Sequence, residues 1–185
     1  MAQGLSSGLQ DILEEFRERY GFPGATAAFV LTDGSVVTAA TGFADVEAGQ
    51  KMTPASRMLA ASIGKSFVGA TIIAHEHEGL LSQEDRLAYH LGEHAWFAAL
   101  QNAQSITLRH LLRHQSGLPD HPHMPAFQVA AAARIAAGQQ AFGPTDLLEF
   151  MTEQDALFEA GTAWAYSDTG YILLGLVIEK VTGRL

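Results

Sequence analysis

The sequence predicts an α/β protein of the α+β type, with an antiparallel sheet flanked by helices and a mostly helical domain. Three observations support this class. An amphipathic pattern near the N-terminus is followed by two strand patterns that an Asp-Gly turn joins. From residue 66 to residue 163 the chain has helix and loop patterns without a long β pattern. Because two strands alone make a poor sheet, we expect the sheet to be incomplete in this chain.

The first elements are predicted by their spacing of apolar residues. A helix over 5–20 places four apolar side chains on one side, namely Leu9, Ile12, Leu13 and Phe16. Residues 24–31 and 36–41 are predicted to be strands, and the Asp-Gly pair between them favours a hairpin. The next helix begins near Ser62, and its apolar residues form one stripe at Ile63, Phe67, Ala70 and Ala74.

The later elements are helices separated by loops. Thr107 is expected to cap a short helix that Gly117 and Pro119 stop, and an Ala-rich helix follows at 126–137. An apolar helix over 172–179 and beyond is expected to end at Gly183. We predict two domains, an α/β domain from residues 1–61 and 164–185 and a domain of 62–163 that carries the Ser62 helix.

Composition excludes several classes of partner and chemistry. The net charge of −9 disfavours nucleic acid and anionic membranes as partners, and the absence of cysteine excludes disulfides and a cysteine nucleophile. No stretch reaches the ~20 apolar residues of a membrane span. The first residues lack the pattern of a secretion signal. A cytoplasmic protein is therefore expected, or an exported one without its signal.

The first chemical motif is Ser62 followed three residues later by Lys65 at the start of an apolar helix. Residues i and i+3 share one helical face, so an amine lies beside a hydroxyl that is a weak nucleophile without a base. The positive helix end could serve an oxyanion and could keep Lys65 neutral. The alternative is that Ser62 is an ordinary N-cap and Lys65 an ordinary first-turn residue.

Two further segments favour the chemical interpretation. Residues 158–171 read Phe-Glu-Ala-Gly-Thr-Ala-Trp-Ala-Tyr-Ser-Asp-Thr-Gly-Tyr, and residues 106–119 read Ile-Thr-Leu-Arg-His-Leu-Leu-Arg-His-Gln-Ser-Gly-Leu-Pro. With Ser62 and Lys65, these segments resemble the serine β-lactamase-like superfamily, which includes penicillin-binding DD-peptidases, C-type β-lactamases and related esterases. The family's Ser-x-x-Lys motif matches Ser62 and Lys65. Its Tyr-x-Asn motif matches Tyr166 and, imperfectly, Asp168.

The resemblance implies a cleft between an α/β domain and a helical domain, with Ser62, Lys65 and Tyr166 as catalytic residues. Asp168 replaces the usual Asn, which adds a charge to the site and is expected to raise the pKa of Lys65. Ala160 stands where relatives often have Pro. The family's third motif, on a later strand, does not occur before the sequence ends. We therefore expect a second polypeptide segment to complete the sheet and the site.

Other sites are weaker hypotheses. His110 and His114 have metal-ligand spacing, but a local capping or loop-supporting role is expected for both, and no metal or cofactor is predicted. Ala60 to Gly64 matches half of a nucleophile elbow, without the strand that it requires. Trp164 is either a wall of the substrate cleft or part of the core, and Tyr171 could line the cleft as well.

The sequence thus predicts a serine hydrolase that forms an acyl-enzyme on small carboxylic esters or amides. A D-amino-acid-directed peptidase or amidase and a β-lactamase are the alternatives within this mechanism. A catalytically silent ligand-sensing or scaffold protein of the same fold is the alternative from another class.

Overall fold

A computed structural model of the protein describes residues 2–152 and 154–184, which form two compact units that divide after Ala60. The first unit contains α1 (Ala2–Tyr20), β1 (Gly24–Val30), β2 (Val36–Asp45) and β3 (Gln50–Lys51). The second contains α2 (Gly64–His77), α3 (Leu87–Leu91), α4 (Leu108–Leu112), α5 (Pro125–Ala136), α6 (Pro144–Glu149) and α7 (Asp168–Thr182). The α/β class with an antiparallel sheet is confirmed, and the predicted grouping of 164–185 with 1–61 stays a prediction.

The hairpin of the first unit forms as predicted. β1 and β2 pair in antiparallel register from Gly24 opposite Gly42 to Val30 opposite Val36. In the turn, Asp33 Oδ1 accepts the Ser35 N–H at 2.9 Å. β2 extends to residue 45 rather than 41 because its last residues pair with β3, a strand that the sequence pattern does not predict.

Helix α1 packs against β2 and supplies hydrogen bonds to it. Val37, Ala39 and Thr41 are the buried positions of the strand, in the alternation expected of a sheet with one covered face. The Gln10 amide donates to the carbonyl of Ala40 at 2.9 Å and accepts its N–H at 3.3 Å. A helix side chain therefore satisfies both backbone polar groups of one residue in the strand.

The core of the second unit surrounds α7, which packs against α2, α3, α4 and α6. Its fully buried large side chains are Phe97, Ile72, Leu87, Leu91, Ile106, Leu108, Leu111, Leu118, Leu148, Met151, Leu173 and Leu174. On α2 the predicted stripe that includes Ile63 and Phe67 is exposed, whereas Ile72 is buried. Residues 67–74 are apolar on almost every side, so periodicity alone did not identify the buried face.

The helix ends test the predicted caps. Thr107 Oγ1 accepts the His110 N–H at 3.3 Å, which confirms the cap of α4. The predicted stop at Gly117 is wrong, because α4 already ends at Leu112 and His114 adopts a left-handed φ of 55°. Gly183 ends α7 with a left-handed φ of 65°, as predicted. Among the described helices, none is long and apolar enough to cross a bilayer.

Candidate active site

Ser62 lies in a short 3-10 turn, Ala61–Ile63, directly before the first residue of α2. Its side chain does not cap the helix, since the N-cap position is Ile63 and no side-chain cap bond forms there. Ala61 has a φ of 46°, which is uncommon for a residue other than glycine. Such backbone strain next to a reactive side chain is a feature of functional sites. The geometry therefore weakens the interpretation of Ser62 as an ordinary N-cap.

Tyr166 meets Ser62 although the two residues are 104 positions apart in the sequence. The Tyr166 hydroxyl donates to Ser62 Oγ at 2.8 Å. Ser62 is exposed and Tyr166 is 40% exposed, so a small molecule can reach the pair. The structure thus brings together two of the residues that the sequence selected separately.

Lys65, the second residue of α2, forms an ion pair with Asp168, the first residue of α7. Both side chains are partly buried. The Lys65 ammonium also lies 4.9 Å from the centroid of the Tyr166 ring and 5.6 Å from that of Tyr171. Asp168 therefore faces the amine that stands beside the Ser62–Tyr166 pair.

Burial and this ion pair act on Lys65 in opposite directions. Burial alone would lower the pKa of Lys65, but hydrogen bonding to Asp168, with contributions from Tyr166 and from the charge of Asp168, raises the pKa above its ordinary value. The expectation that Asp168 stabilises protonated Lys65 is confirmed. The expectation that the helix end keeps Lys65 neutral is wrong. The Asp168 carboxylate contacts the ammonium directly and favours its charged form more than the partial positive charge of the α2 N-terminus disfavours it.

The turn that carries Tyr166 is fixed by the start of α7. Ser167 is the N-cap of that helix and its buried hydroxyl accepts the Gly170 N–H at 3.4 Å. Tyr171, one turn into α7, donates its hydroxyl to the Leu112 carbonyl at 3.0 Å. Burial raises the pKa of the Tyr171 phenol, so this group stays protonated across the neutral range.

Two aromatic neighbours complete the surroundings of Tyr166. Trp164 is 64% exposed, and its ring meets the His114 ring edge-on at 6.1 Å. The His114 ring stacks on the Tyr166 ring at 4.6 Å. The sequence indicated a loop-supporting role for His114, but no signal in it connected this residue to Tyr166.

Three other histidines make side-chain hydrogen bonds. His110 completes the capping box of α4 by accepting the Thr107 N–H at 3.3 Å, as its predicted local role requires. His75 pairs with Glu78, and the ring of His121 contacts the hydroxyl of Thr169. Within residues 2–152 and 154–184 no group of three His, Cys, Asp or Glu residues is arranged to hold a metal ion.

Comparison with known proteins shows the family of this chain. A family model described as Beta-lactamase matches residues 9–185, and the chain belongs to this family. Penicillin-binding protein 4* of Bacillus subtilis (strain 168) is 30% identical over 186 residues, which cover 99% of this chain and 38% of the relative. The chain is thus a member of the serine β-lactamase-like superfamily. Its relatives in this superfamily are serine hydrolases.

Solved structures give the same result for the fold. A D-stereospecific amidohydrolase from Streptomyces sp. has a TM-score of 0.77 and 27% identity, covering 97% of this chain and 50% of that one. The D-amino acid amidase of Ochrobactrum anthropi SV3, in complex with D-phenylalanine, has a TM-score of 0.77 and 26% identity, covering 98% and 47%. The chain therefore spans half or less of the length of these relatives.

Proposed function

We propose that the protein is a serine hydrolase that transfers acyl groups through a covalent intermediate on Ser62, with small carboxylic esters or amides as substrates. The observation that carries this proposal is the 2.8 Å hydrogen bond from the Tyr166 hydroxyl to Ser62 Oγ. A serine hydroxyl needs a proton acceptor in contact to become a nucleophile, and Tyr166 with Lys65 supplies the candidates. Membership of the Beta-lactamase family supports the same chemistry.

The division of work between Lys65 and Tyr166 follows from Asp168. A protonated ammonium cannot accept the Ser62 proton, but its charge stabilises a nearby phenolate. We therefore assign the proton acceptance to the phenolate form of Tyr166, with Lys65 as the cation beside it. To become that acceptor, Tyr166 first gives its hydroxyl proton to solvent water, and its phenolate oxygen then accepts from Ser62 Oγ.

In acylation, Ser62 Oγ forms a bond to the carbonyl carbon of the substrate. The Ser62 proton passes to the Tyr166 phenolate, and the electron pair of the carbonyl double bond moves onto the carbonyl oxygen. The Ser62 backbone N–H is one donor to that oxyanion. When the intermediate collapses, the leaving alcohol or amine takes the proton from Tyr166. Water repeats the sequence and releases the acid.

By resemblance, the second oxyanion donor and the third family motif belong to strands of a further polypeptide segment. We propose that this segment completes the sheet and the site, as the expected partner. The extent of the match supports this proposal, since this chain corresponds to 50% of the Streptomyces amidohydrolase structure. The activity of the whole protein is part of the proposal for the same reason.

D-Amino acid amides are the second candidate class of substrate. The observation that favours them is the pair of structural neighbours described as a D-stereospecific amidohydrolase and a D-amino acid amidase. Simple esters remain the first candidate, because the exposed Ser62–Tyr166 pair is open to a small substrate. β-Lactams are the third.

The test uses the purified protein and two serine variants. A fluorophosphonate should add its mass at Ser62, and hydrolysis of a short p-nitrophenyl ester should be lost in Ser62→Ala. Ser66→Ala is the matched control, since Ser66 is an exposed serine in the first turn of α2. Labelling at another serine, or unchanged turnover in Ser62→Ala, would contradict the proposal.

The substrate class is decided by parallel assays of the ester, D-phenylalanine amide, L-phenylalanine amide and a chromogenic cephalosporin. Fast release from the D-amide alone would favour the amidase over the esterase. Binding of these compounds without turnover or labelling of Ser62 would favour the catalytically silent alternative.

A further inference from the structure

The loop of residues 114–120 is hydrogen-bonded along its length to the segment that ends in Tyr166, Ser167 and Asp168. The bonds run from Leu157 N to Gly117 O (2.9 Å), Gly161 N to Gln115 O (2.8 Å), Ala165 N to His114 O (3.0 Å), Ser167 N to His114 Nδ1 (3.2 Å), Ser167 Oγ to Pro119 O (3.3 Å) and Asp168 N to Asp120 Oδ1 (2.7 Å). Four of the six hold the residues on either side of Tyr166. The position of the phenol therefore depends on this loop.

His114 contacts the segment with three different parts of the residue. Its carbonyl accepts the N–H of Ala165, its Nδ1 accepts the N–H of Ser167, and its ring stacks on Tyr166 at an interplanar angle of 28°. Its left-handed φ of 55° belongs to the end of α4, where the Gln115 N–H bonds to the His110 carbonyl at 2.7 Å in the pattern of a helix C-cap. A residue that bonds to the residues on either side of Tyr166 and stacks on its ring is placed to position that phenol.

The hydrogen bond to Nδ1 also fixes the protonation of His114. A nitrogen that accepts a bond from a backbone N–H has no proton, so the ring is the neutral Nε2–H tautomer. The charged or titratable groups that face the ring are Lys65 from α2, Asp168 and Tyr171 from α7, and Asp120 and Tyr166 from the loops. Burial, with the charge of Lys65, lowers the pKa of His114, although Asp168 and Asp120 oppose this shift.

We propose that His114 is a positioning residue, which in its neutral form holds the Tyr166 hydroxyl against Ser62 and which releases it when the imidazole is protonated. The inference rests on the proposed function of Ser62 and Tyr166. Protonation at Nδ1 breaks the bond to the Ser167 N–H, because two donors then face each other. It also places a second cation near Lys65. His114 therefore makes the activity sensitive to acid without touching the substrate.

Two substitutions of His114 separate the contribution of its Nδ1 acceptor from that of its stacked ring. His114→Asn tolerates a left-handed φ and places Oδ1 where Nδ1 accepts, but it does not titrate. His114→Phe keeps the stacked ring and loses the acceptor. We expect His114→Phe to lower kcat by about tenfold, the effect of one lost hydrogen bond on the barrier, with KM little changed. His114→Asn should stay within about threefold of the parent kcat.

The pH dependence gives a signature that a merely structural role would not produce. The ratio of kcat/KM in the parent protein to that in His114→Asn should be constant near neutral pH. Below the lowered pKa of His114, and thus below about pH 6.5, the ratio should fall by about tenfold in total and then level off, because protonation breaks the same hydrogen bond that His114→Phe lacks. His77→Asn, which replaces an exposed histidine at the end of α2, is the matched control and should leave the ratio constant.

Nitrogen NMR of the parent protein tests the geometry without relying on activity or on the folding of variants. At pH 7 the His114 ring should be the Nε2–H tautomer with a bare Nδ1. A protonated Nδ1, a constant pH ratio, or a His114→Asn variant as slow as His114→Phe would overturn the inference. If Ser62→Ala keeps its turnover, the proposed function fails instead. If Ser62→Ala is inactive and His114→Phe is fully active, only the role of His114 fails.

Discussion

Replacing Tyr166 with Phe removes one oxygen atom, and this atom connects the phenol to Ser62. In the structure that oxygen donates a 2.8 Å hydrogen bond to Ser62 Oγ. If Tyr166 accepts the Ser62 proton during attack and returns it to the leaving group, both transfers are lost in the variant. The ring remains, and with it the stacking on His114.

The expected size of the effect differs between activity and stability. Loss of a general acid–base group lowers the chemical step by a factor of about 10²–10⁴, which corresponds to about 3–5 kcal/mol in the barrier. The same hydroxyl bonds to an exposed serine, so its contribution to the free energy of unfolding is about 1 kcal/mol or less. We expect Tyr166→Phe to fold normally and to turn over poorly.

Tyr171→Phe is the matched variant because it removes the neighbouring phenol. The Tyr171 hydroxyl donates to the Leu112 carbonyl at 3.0 Å, away from Ser62. Its removal leaves that carbonyl without its partner and should destabilise the fold by about 1–3 kcal/mol, with a small effect on kcat. The assay pairs ester hydrolysis in single turnover with denaturant unfolding. A Tyr166→Phe protein within about threefold of the parent rate would refute the reasoning.

Three other predictions concern charge and backbone. Asp168→Asn removes the carboxylate that raises the pKa of Lys65. If the pH–rate profile has an alkaline limb that reflects neutral Lys65, this limb should therefore move to lower pH in the variant. An unmoved limb would mean that Lys65 does not titrate during turnover. The same pair links folding to pH. The pKa of Lys65 is raised in the folded protein, so the stabilisation from the ion pair is complete below the unfolded pKa of 10.5 and is lost as pH rises through the folded pKa. The difference in Tm between the parent and Asp168→Asn should therefore shrink above about pH 10.5. Gly117→Ala should destabilise by more than about 2 kcal/mol, since Gly117 has a φ of 74° and an added Cβ would lie 2.1 Å from the Phe158 carbonyl oxygen. Gly138→Ala, with a φ of 61° and open space, isolates the cost of φ alone at about 1–2 kcal/mol, and equal losses in urea unfolding would contradict the steric argument.

The parts of the fold that could be predicted are those in which local chemistry is decisive. An Asp-Gly pair between two β-rich runs specifies a hairpin, and Thr107 and Gly183 mark helix ends through backbone geometry that few other residues provide. The candidate site residues are predicted from the short family motifs that they match. Ser62 and Lys65 are one helical turn apart, and Tyr166 directly precedes the N-cap of α7. In each case the information lies within a few residues of sequence.

The parts that could not be predicted depend on contacts between distant segments. The His114 side chain accepts a hydrogen bond from the Ser167 N–H, 53 residues later, and no local pattern encodes that bond. The buried face of α2 is decided by α7, which packs on it. The charge state of Lys65 depends on Asp168, 103 residues away, so the local argument from the helix end gave the wrong direction.

By resemblance, Asp168 stands where the family usually has Asn, and we propose that this change alters which group accepts the Ser62 proton rather than abolishing the reaction. The Tyr166 hydroxyl lies 2.8 Å from Oγ of the exposed Ser62, and Ala61 next to it has a positive φ. This geometry supports a catalytic site. In the proposed mechanism, Asp168 determines which group accepts the proton of Ser62. A carboxylate at this position holds the amine in its charged form, which removes Lys65 as an acceptor and makes it a stronger electrostatic partner for Tyr166. In the proposed mechanism, turnover then depends most on the Tyr166 phenol, and the loop that contains His114 bonds to the residues on either side of it.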